Sequence, residues 1–555
     1  MKASLAMLLS LFLLSCSSPS SSQEADLIVL GGRIWTGNPQ QPWAEALAVK
    51  GDRIAAVGTR PDIEALGGEG TEVIEAQGGL VTPGFIDSHV HFLQGGANLA
   101  SVQLRDASSR QEFVRRIEAF AGQLEEGEWI LGGDWDHERW GGELPQAGWI
   151  DQVTPRNPVM LNRLDGHMVL ANSAAMKLAG VDARTEEVEG GTIVRDRQGR
   201  PTGIFKDNAM GLIQAAVPQP THQQVARALE AAQRHVARQG VTSVHNMGTW
   251  NDFEAFREAH RQGQLRVRIY AAVPLNSWER LKQQVKSYGR GDEWLRVGGL
   301  KGFVDGSLGS HTAAFLEPFS DAPQDRGLLV NELDDLYRWI SAADGAGLQV
   351  MTHAIGDRAI RELLDIYQRV AEENGERDRR FRIEHAQHIH PDDIQRFAAQ
   401  DVIASMQPYH AIDDGRWAEK VIGPERIRTT YAFRSLVESG ATVAFGSDWF
   451  VAPPTPLEGI YAALTRRTLD GANPQGWVPE EKISLEQALQ AYTRNAAYAS
   501  FQEDLKGTLE KGKLADFVVI DRDLSAIPAA EIREAQILRT VVGGEVVFSA
   551  DEGAQ

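Results

Sequence analysis

The chain has 555 residues, of which 42% are hydrophobic and 24% are charged, and this composition is typical of a folded protein with more than one domain. Its formal net charge of −20 argues against binding to nucleic acid or anionic lipid through a basic surface. The single cysteine excludes an intramolecular disulfide and a thiolate metal site, so any metal ion must be held by nitrogen and oxygen ligands.

The chain begins with "MKASLAMLLSLFLLSC", which combines one lysine with an apolar run too short to cross a membrane. This pattern predicts a signal peptide over residues 1–15. The "LLSC" segment resembles the bacterial lipoprotein box, in which the cysteine is lipidated, and the serine-rich residues 16–25 would form a tether. A plain secretory signal with an incidental Cys16 is the alternative. We expect an exported bacterial lipoprotein that faces the periplasm and meets the membrane only through its anchor at Cys16.

Short β-rich segments lie at both ends of the chain. Residues 26–80 contain runs such as "DLIVLGGRIWTG", which glycine and aspartate interrupt at hairpin spacing, and this predicts a small β-sandwich. Residues 505–550 contain the similar runs "ADFVVIDRD" and "ILRTVVGGEVVF". We expect the two ends to pair into one composite domain beside the body of the chain.

The body, residues 81–504, alternates short apolar runs with amphipathic helical stretches. Eight runs are strand-like, at residues 80–86, 241–245, 266–273, 297–304, 348–352, 381–384, 402–406 and 442–446. Eight strands with helices between them predict an α/β protein built on a (β/α)8 barrel of the TIM type, and no glycine-rich dinucleotide motif follows an early strand. The long interval 93–220 holds four tryptophans and the extra run "PVMLNRLD", so it is interpreted as an inserted cap subdomain.

Polar side chains follow the ends of five barrel runs, where the catalytic residues of such barrels lie. Those ends read "FIDSHVH", "LKGFVDGS", "LQVMTHAIGD", "FRIEHAQH" and "TVAFGSDW". His89 and His91 are two residues apart and therefore face the same side of one strand. With His353, His385 and Asp448 they form a set of nitrogen and oxygen ligands that can hold one or two divalent ions.

Lys301 is the exception among the strand-end residues because an ammonium group has no lone pair for a metal. A buried stem with a solvated head, or a partner for Asp305, would be a structural role. A functional role requires either a substrate-binding cation or carbamylation by carbon dioxide, which makes a bridging carboxylate.

Long motifs resemble the amidohydrolase superfamily, in particular the amidohydrolase-3 subgroup that includes N-substituted formamide deformylases. The similarity covers nearly the whole mature chain and includes "GGLVTPGFIDSHVHF", "DGHMVLANSAAM", "VDGSLGSHTAAFLEPFSD", "THAIGD", "RIEHAQ", "FGSDWFVAPPTPLEGIYAALTR" and "GTLEKGKLADFVVID". The resemblance implies that His89 and His91 bind the more buried metal, that His353 and His385 bind a second ion, and that a carbamylated Lys301 bridges the two.

The resemblance also implies that Asp448 both binds metal and acts as the general base. Two further histidines are candidates for contact with the substrate. His311 stands where the subgroup usually has the arginine of "GSLGSRTA", so a substrate contact and a shifted specificity are expected there. His167, in "RLDGHMVLAN", is the best candidate for a substrate contact from the cap, with a cap-surface histidine as the alternative.

The chemistry expected from this set is hydrolysis of an amide-type C–N bond in a small molecule. A bound Zn²⁺ would lower the pKa of water to about 7, and Asp448 would move a proton from the water to the leaving nitrogen. The same site supports cyclic-amide opening, deamination, or ester and phosphotriester hydrolysis. A lipid-anchored binding protein without activity is a further alternative.

Zinc is favoured by ligand type, although manganese, iron or cobalt fit the same residues. The sequence does not define the oligomeric state and is compatible with a homodimer.

Overall fold

The computed structural model describes residues 24–551. The predicted signal peptide, Cys16 and nearly all of the expected tether lie outside these residues. Within the described part of the chain, no helix is both long enough and apolar enough to cross a bilayer.

Eight parallel strands form the central sheet, and each pairs with its neighbours in chain order. They are Phe85–Val90, Val241–Met247, Arg268–Pro274, Leu295–Phe303, Gln349–Ala354, Arg382–His385, Ile403–Met406 and Val443–Phe445, called here the first to eighth barrel strands. A parallel bridge between Val90 and Trp449 brings the two edges of the sheet together. The predicted (β/α)8 barrel is therefore confirmed.

The apolar run 80–86 is not one strand, in contrast to the prediction. Leu80–Pro83 pairs antiparallel with Phe517–Ile520 outside the barrel, and the first barrel strand starts at Phe85. Gly84 separates them where the chain passes close to the second barrel strand, because a Cβ at this position would lie 2.2 Å from Thr242 Oγ1. Glycine is thus required at the point where the chain crosses from one sheet to the other.

Helices follow the barrel strands along the chain and cover the outside of the sheet. The helix His222–Ala237 illustrates their construction, since Thr221 and Gln224 form a capping box and Leu229 and Val236 are buried in the main core. The helices in this part of the chain are Phe92–Asn98, His222–Ala237, Trp250–Arg261, Trp278–Tyr288, Leu333–Gly345, Asp357–Asn374, Ile394–Ala399, Pro408–Asp414, Ala418–Arg426, Phe433–Ser439, Pro456–Thr465, Leu485–Tyr492 and Arg494–Tyr498.

The expected cap is a separate sheet inserted between the first and second barrel strands. Its five strands are, in spatial order, Gly191–Arg195, Pro201–Asp207, Met168–Ala171, Val159–Arg163 and Ile130–Trp135. Its helices are Arg110–Ala121, Ala147–Ile150, Ser173–Leu178 and Gly211–Gln214. The four cap tryptophans pack in or against the cap's own hydrophobic clusters and do not line the two cavities described below.

Two further sheets form the composite β-domain. A four-stranded sheet comes from the N-terminal end alone, in the order Arg53–Gly58, Ala46–Lys50, Leu27–Leu30 and Glu72–Glu75, and the short helix Arg60–Glu64 lies between two of its strands along the chain. A six-stranded sheet joins both ends of the chain, in the order Glu545–Ser549, Ile537–Val542, Phe517–Ile520, Leu80–Pro83, Arg33–Trp35 and Trp43–Ala44. Val29 and Phe517 belong to one buried cluster, so the two chain ends share a core.

Candidate metal centre

The six strand-end residues lie at the carboxyl end of the barrel. His89 is in the first strand and His91 directly follows it, while Lys301 and His353 are in the fourth and fifth strands. The remaining two, His385 and Asp448, have left-handed backbone conformations with φ of 74° and 61°. Non-glycine residues in this region are strained and cluster at functional sites, where neighbouring structure holds them in place.

His89, His385 and Asp448 form the centre of the group, because each offers a ligand atom within 4.8 Å of the others. Asp448 Oδ1 lies 3.4 Å from His89 Nε2 and 3.3 Å from His91 Nε2. The ring centroids of His353 and His385 are 4.5 Å apart, and Lys301 Nζ lies 3.3 Å from His89 Nε2. The fold therefore brings all six strand-end residues together.

The donor set fits a divalent cation. Asp448 Oδ1 is buried and has no hydrogen-bond partner among the residues that the structure describes. A buried carboxylate oxygen without a donor is costly, and a cation at this position would satisfy it together with the lone pairs of the surrounding imidazoles. Imidazole nitrogen with carboxylate oxygen is a ligand combination that suits zinc and its neighbours in the first transition series.

A buried ion pair orients His89. Its Nδ1 lies 2.6 Å from Glu384 Oε2, and Arg382 Nε donates to the other oxygen of Glu384 at 2.7 Å. The Arg382 guanidinium and His89 hold the pKa of Glu384 far below its usual range although burial opposes this, so the carboxylate is charged and accepts the His89 Nδ1 proton. This leaves His89 Nε2 with a lone pair that faces Asp448 and Lys301.

His353 and His385 are oriented in the same way. His353 Nε2 donates to the carbonyl oxygen of Gly306 at 2.9 Å, which leaves the lone pair on Nδ1. His385 Nδ1 donates to Gln407 Oε1 at 2.9 Å, which leaves the lone pair on Nε2. Each histidine thus makes one orienting hydrogen bond and keeps one nitrogen free to bind a metal.

The protonation states favour metal binding. Burial and the Lys301 ammonium lower the pKa of His89 to about 4, so this imidazole is neutral at pH 7. Burial alone would raise the pKa of Asp448, but the neighbouring His89, His91 and His385 outweigh burial and lower it well below its usual value. Metal ligands must be neutral imidazoles and ionised carboxylates, and these residues meet that requirement.

The two residues predicted to contact the substrate, His167 and His311, differ in their position relative to the candidate metal centre. His167 lies in the cap loop before the strand Met168–Ala171, and its ring centroid is 4.9 Å from that of His353. His167 Nδ1 lies 2.7 Å from Asp207 Oδ1, and this contact raises the pKa of His167 although burial opposes the rise. His311 instead lies beside Asp321, at 3.1 Å, and is not among the residues that line the cavities at the metal ligands.

Two cavities meet at this group of residues. The larger has a volume of about 600 Å³ and the smaller about 50 Å³, and both are lined by His167, His353, His385 and Asp448. The additional lining of the larger cavity includes the apolar side chains of Leu131, Met160, Val169, Met210, Phe303 and Phe450 beside polar ones such as Asn98, Asn162 and Lys301. That of the smaller cavity includes Arg163, Ser307, Gln387, His410, Asp413 and Asp414 beside apolar side chains such as Leu308, Ile355 and Trp417.

Several residues of the site were not predicted from the sequence. Glu384 and Arg382 carry a recognisable signal, because "RIEH" places two charged side chains two residues apart in a buried strand, where they face the same side. His410 has no such signal. Its Nε2 is buried without a hydrogen-bond partner among the described residues, and its side chain lines the smaller cavity.

An eight-stranded parallel barrel with a buried cluster of imidazole and carboxylate side chains at its carboxyl end is the arrangement typical of TIM-barrel metal-dependent hydrolases. The family model described as "Amidohydrolase family" matches residues 72–548. The chain therefore belongs to the amidohydrolase family, as the motifs predicted.

Relatives match over nearly the whole chain. Protein LONG AFTER FAR-RED 3 of Arabidopsis thaliana is 41% identical over 544 residues, which cover 96% of this chain and 93% of that protein. N-substituted formamide deformylase of Arthrobacter pascens is 28% identical and covers 94% of this chain and 98% of its own length. The crystal structure of an uncharacterized metal-dependent hydrolase from Pyrococcus furiosus matches with a TM-score of 0.69 at 29% identity, over 88% of this chain and 98% of that chain.

Proposed function

We propose that the protein hydrolyses an amide-type carbon–nitrogen bond in a small molecule. The observation that carries the proposal is the buried Asp448 Oδ1, which lacks a hydrogen-bond partner among residues 24–551 and lies against the imidazoles of His89 and His91 where two cavities meet. A carboxylate in this position can both face a cation and accept a proton from water.

We assign His89, His91 and Asp448 to one divalent ion, for which zinc suits the ligands best, and His353 and His385 to a second ion. When bound, such an ion lowers the pKa of water to about 7 and polarises the substrate carbonyl. The orienting contacts of Glu384 and Gln407 keep the imidazoles aligned before the substrate arrives.

Asp448 transfers the proton in the proposed reaction. It takes one proton from the attacking water as the new C–O bond forms at the carbonyl carbon. It then gives this proton to the nitrogen as the C–N bond breaks, so the products are a carboxylic acid and an amine. The His167–Asp207 pair lies on the cavity side of His353 and can donate a hydrogen bond to the substrate.

We propose that Lys301 is carbamylated. Burial lowers its pKa to about 8, so about a tenth of the side chains carry a neutral amine at pH 7. A neutral amine adds to carbon dioxide, with loss of one proton, and the resulting carbamate is an anion that can bridge two cations. Its position, 3.3 Å from His89 Nε2, supports a bridging role over a substrate-binding one.

The two cavities favour an asymmetric substrate. The smaller cavity, with a volume of about 50 Å³, fits a short acyl group. The larger cavity, with a volume of about 600 Å³, fits a bulky substituent on the nitrogen. A relative named N-substituted formamide deformylase supports this orientation, because formyl is the shortest acyl group.

Turnover of N-formyl, N-acetyl and N-hexanoyl derivatives of one arylalkyl amine tests the proposal. We expect hydrolysis that decreases with acyl length and falls at least a hundredfold in Asp448→Asn. Asp321→Asn, a change outside the cavities, is the matched control and should keep wild-type rates. An Asp448→Asn variant that hydrolyses these amides as fast as wild type would overturn the proposed role of Asp448.

We further propose that Cys16 is lipidated and anchors an exported protein to the membrane. Cys16→Ser should then move the protein from the membrane fraction to the soluble fraction of the producing cell. Unchanged partitioning would contradict the anchor without affecting the proposed reaction.

A further inference from the structure

A second polar cavity lies at the opposite end of the barrel from the metal ligands. Tyr270, Arg296 and Gln349 contribute to it from the first residues of the third, fourth and fifth barrel strands. The cavity has a volume of about 170 Å³, and its other lining residues are Arg290, Gly347, Arg377, Asp378 and Phe501. It shares no lining residue with the two cavities at the candidate metal centre.

Three of the eight residues that line the cavity are arginines, and their like charges repel. The repulsion between these positive charges affects the pKa of Arg377. Burial and the neighbouring Arg379 and Arg290 lower the pKa of Arg377, even though Asp344 opposes the decrease.

The nearby carboxylates are already engaged with other arginines. Asp344 pairs with Arg377 and Arg379, at 3.1 and 3.2 Å. Asp378, the only acidic residue that lines the cavity, pairs with Arg380 at 2.9 Å. These carboxylates therefore do not neutralise the charges of the other two lining arginines, Arg290 and Arg296.

Arg290 and Arg296 have no carboxylate partner among the residues that the structure describes. Arg290 donates to a neutral acceptor, the carbonyl oxygen of Gly347, at 2.7 Å. Arg296 makes no side-chain hydrogen bond or ion pair within residues 24–551, and its Nε is buried without an acceptor. Two uncompensated guanidinium groups in one cavity are notable in a chain with 76 acidic and 56 basic residues.

We propose that this cavity binds a phosphate-type oxyanion. Two guanidinium groups without counter-ions match the charge of a phosphate dianion, and their planar forks of N–H donors suit tetrahedral oxyanions. The volume exceeds the roughly 30 Å³ of one water several times, so an anion and a few waters fit together. This site is independent of the proposed amide hydrolysis.

Calorimetric titration of the purified, metal-loaded protein with inorganic phosphate at constant ionic strength tests the proposal. Wild type is compared with Arg296→Gln and with Arg184→Gln, an exposed arginine of the cap paired with Asp182. The candidate metal centre is identical in all three proteins, so phosphate bound there cancels in the comparison. Apart from any phosphate binding common to all three proteins, we expect one phosphate site whose Kd rises at least tenfold in Arg296→Gln and is unchanged in Arg184→Gln.

Equal phosphate affinity in wild type and Arg296→Gln would overturn the proposal, as would the absence of phosphate binding in wild type. Thermal unfolding gives a second readout should Arg296→Gln alter stability. Phosphate should raise the Tm of wild type by more than that of Arg290→Gln, and equal shifts would contradict the site. Sulfate should compete with phosphate and acetate should not, whereas competition by acetate alone would assign the cavity to carboxylates and reject a phosphate-type ligand.

Discussion

Each imidazole at the candidate metal centre is fixed by a partner on its far nitrogen. Glu384 holds His89, the Gly306 carbonyl holds His353, and Gln407 holds His385. These contacts set which nitrogen carries the proton, and they align the free lone pairs before any ion binds. Metal affinity should therefore depend on residues that are not themselves ligands.

Gln407→Met tests this dependence. The variant removes the acceptor of His385 Nδ1, so the imidazole can rotate or change tautomer, and metal affinity should fall by about 10–100-fold. Chelator competition measures this affinity. Gln349→Met is the matched control, because it removes a buried glutamine at the other end of the barrel and should leave metal affinity unchanged. Equal affinities in the two variants would show that Gln407 does not position His385.

We expect His410 to bind the substrate and to take no part in the chemical step. Its side chain lines the smaller cavity and its buried Nε2 has no hydrogen-bond partner among the described residues, so we expect Nε2 to hydrogen-bond the acyl end of the substrate. His410→Leu should lower kcat/KM by about 10-fold, mainly through a higher KM, because it removes one hydrogen bond. Steady-state kinetics on the best amide substrate measures this split. An unchanged KM with a much lower kcat would assign His410 to the chemical step instead.

At the scale of elements, the barrel strands were predicted well and their exact ends less well. Hydrophobic runs located seven of the eight strands because buried parallel strands are continuously apolar. The prediction of a single barrel strand over residues 80–86 was wrong, because apolar character does not reveal which of two sheets a strand joins. That choice is made at Gly84, where only the absence of a Cβ allows the close contact with Thr242.

The segment that follows the last helix also reaches into the barrel. Lys506 is fully buried, and its Nζ donates to Ser243 Oγ of the second strand. Burial lowers the pKa of Lys506 to about 7. The unfolded chain keeps this proton up to a pH of about 10.4, so it binds more protons than the folded chain between these values. Burial of the charged Lys506 therefore lowers the free energy of unfolding below pH 7, and this destabilisation disappears as the pH rises toward 10.

Lys506→Met should remove this cost. We expect its Tm to exceed that of wild type by at least about 3 °C at pH 6, with a difference that shrinks steadily between pH 7 and pH 10. Thermal unfolding followed by circular dichroism across this range measures the effect. A Tm difference that is constant with pH would contradict a depressed Lys506 pKa.

At the scale of the whole molecule, the chain ends, the barrel and the cap were all predictable from pattern, whereas the site was predictable only in part. The strand-end histidines and Asp448 could be predicted because barrel topology brings strand ends together. Gln407 and His410 could not, because their roles depend on loop conformations that no periodicity encodes. His311 was expected to contact the substrate; in the structure it lies against Asp321 and is not among the residues that line the two cavities at the candidate metal centre.

The central claim is that the strand-end residues form a metal centre, and metal content tests it most directly. His385→Asn removes a proposed ligand, whereas His388→Asn removes a buried histidine of the same segment that bonds Thr430 instead. We predict at least one equivalent of divalent metal per chain in wild type and His388→Asn, and a marked loss in His385→Asn. Metal-free wild type after growth with zinc, or full occupancy in His385→Asn, would contradict the account.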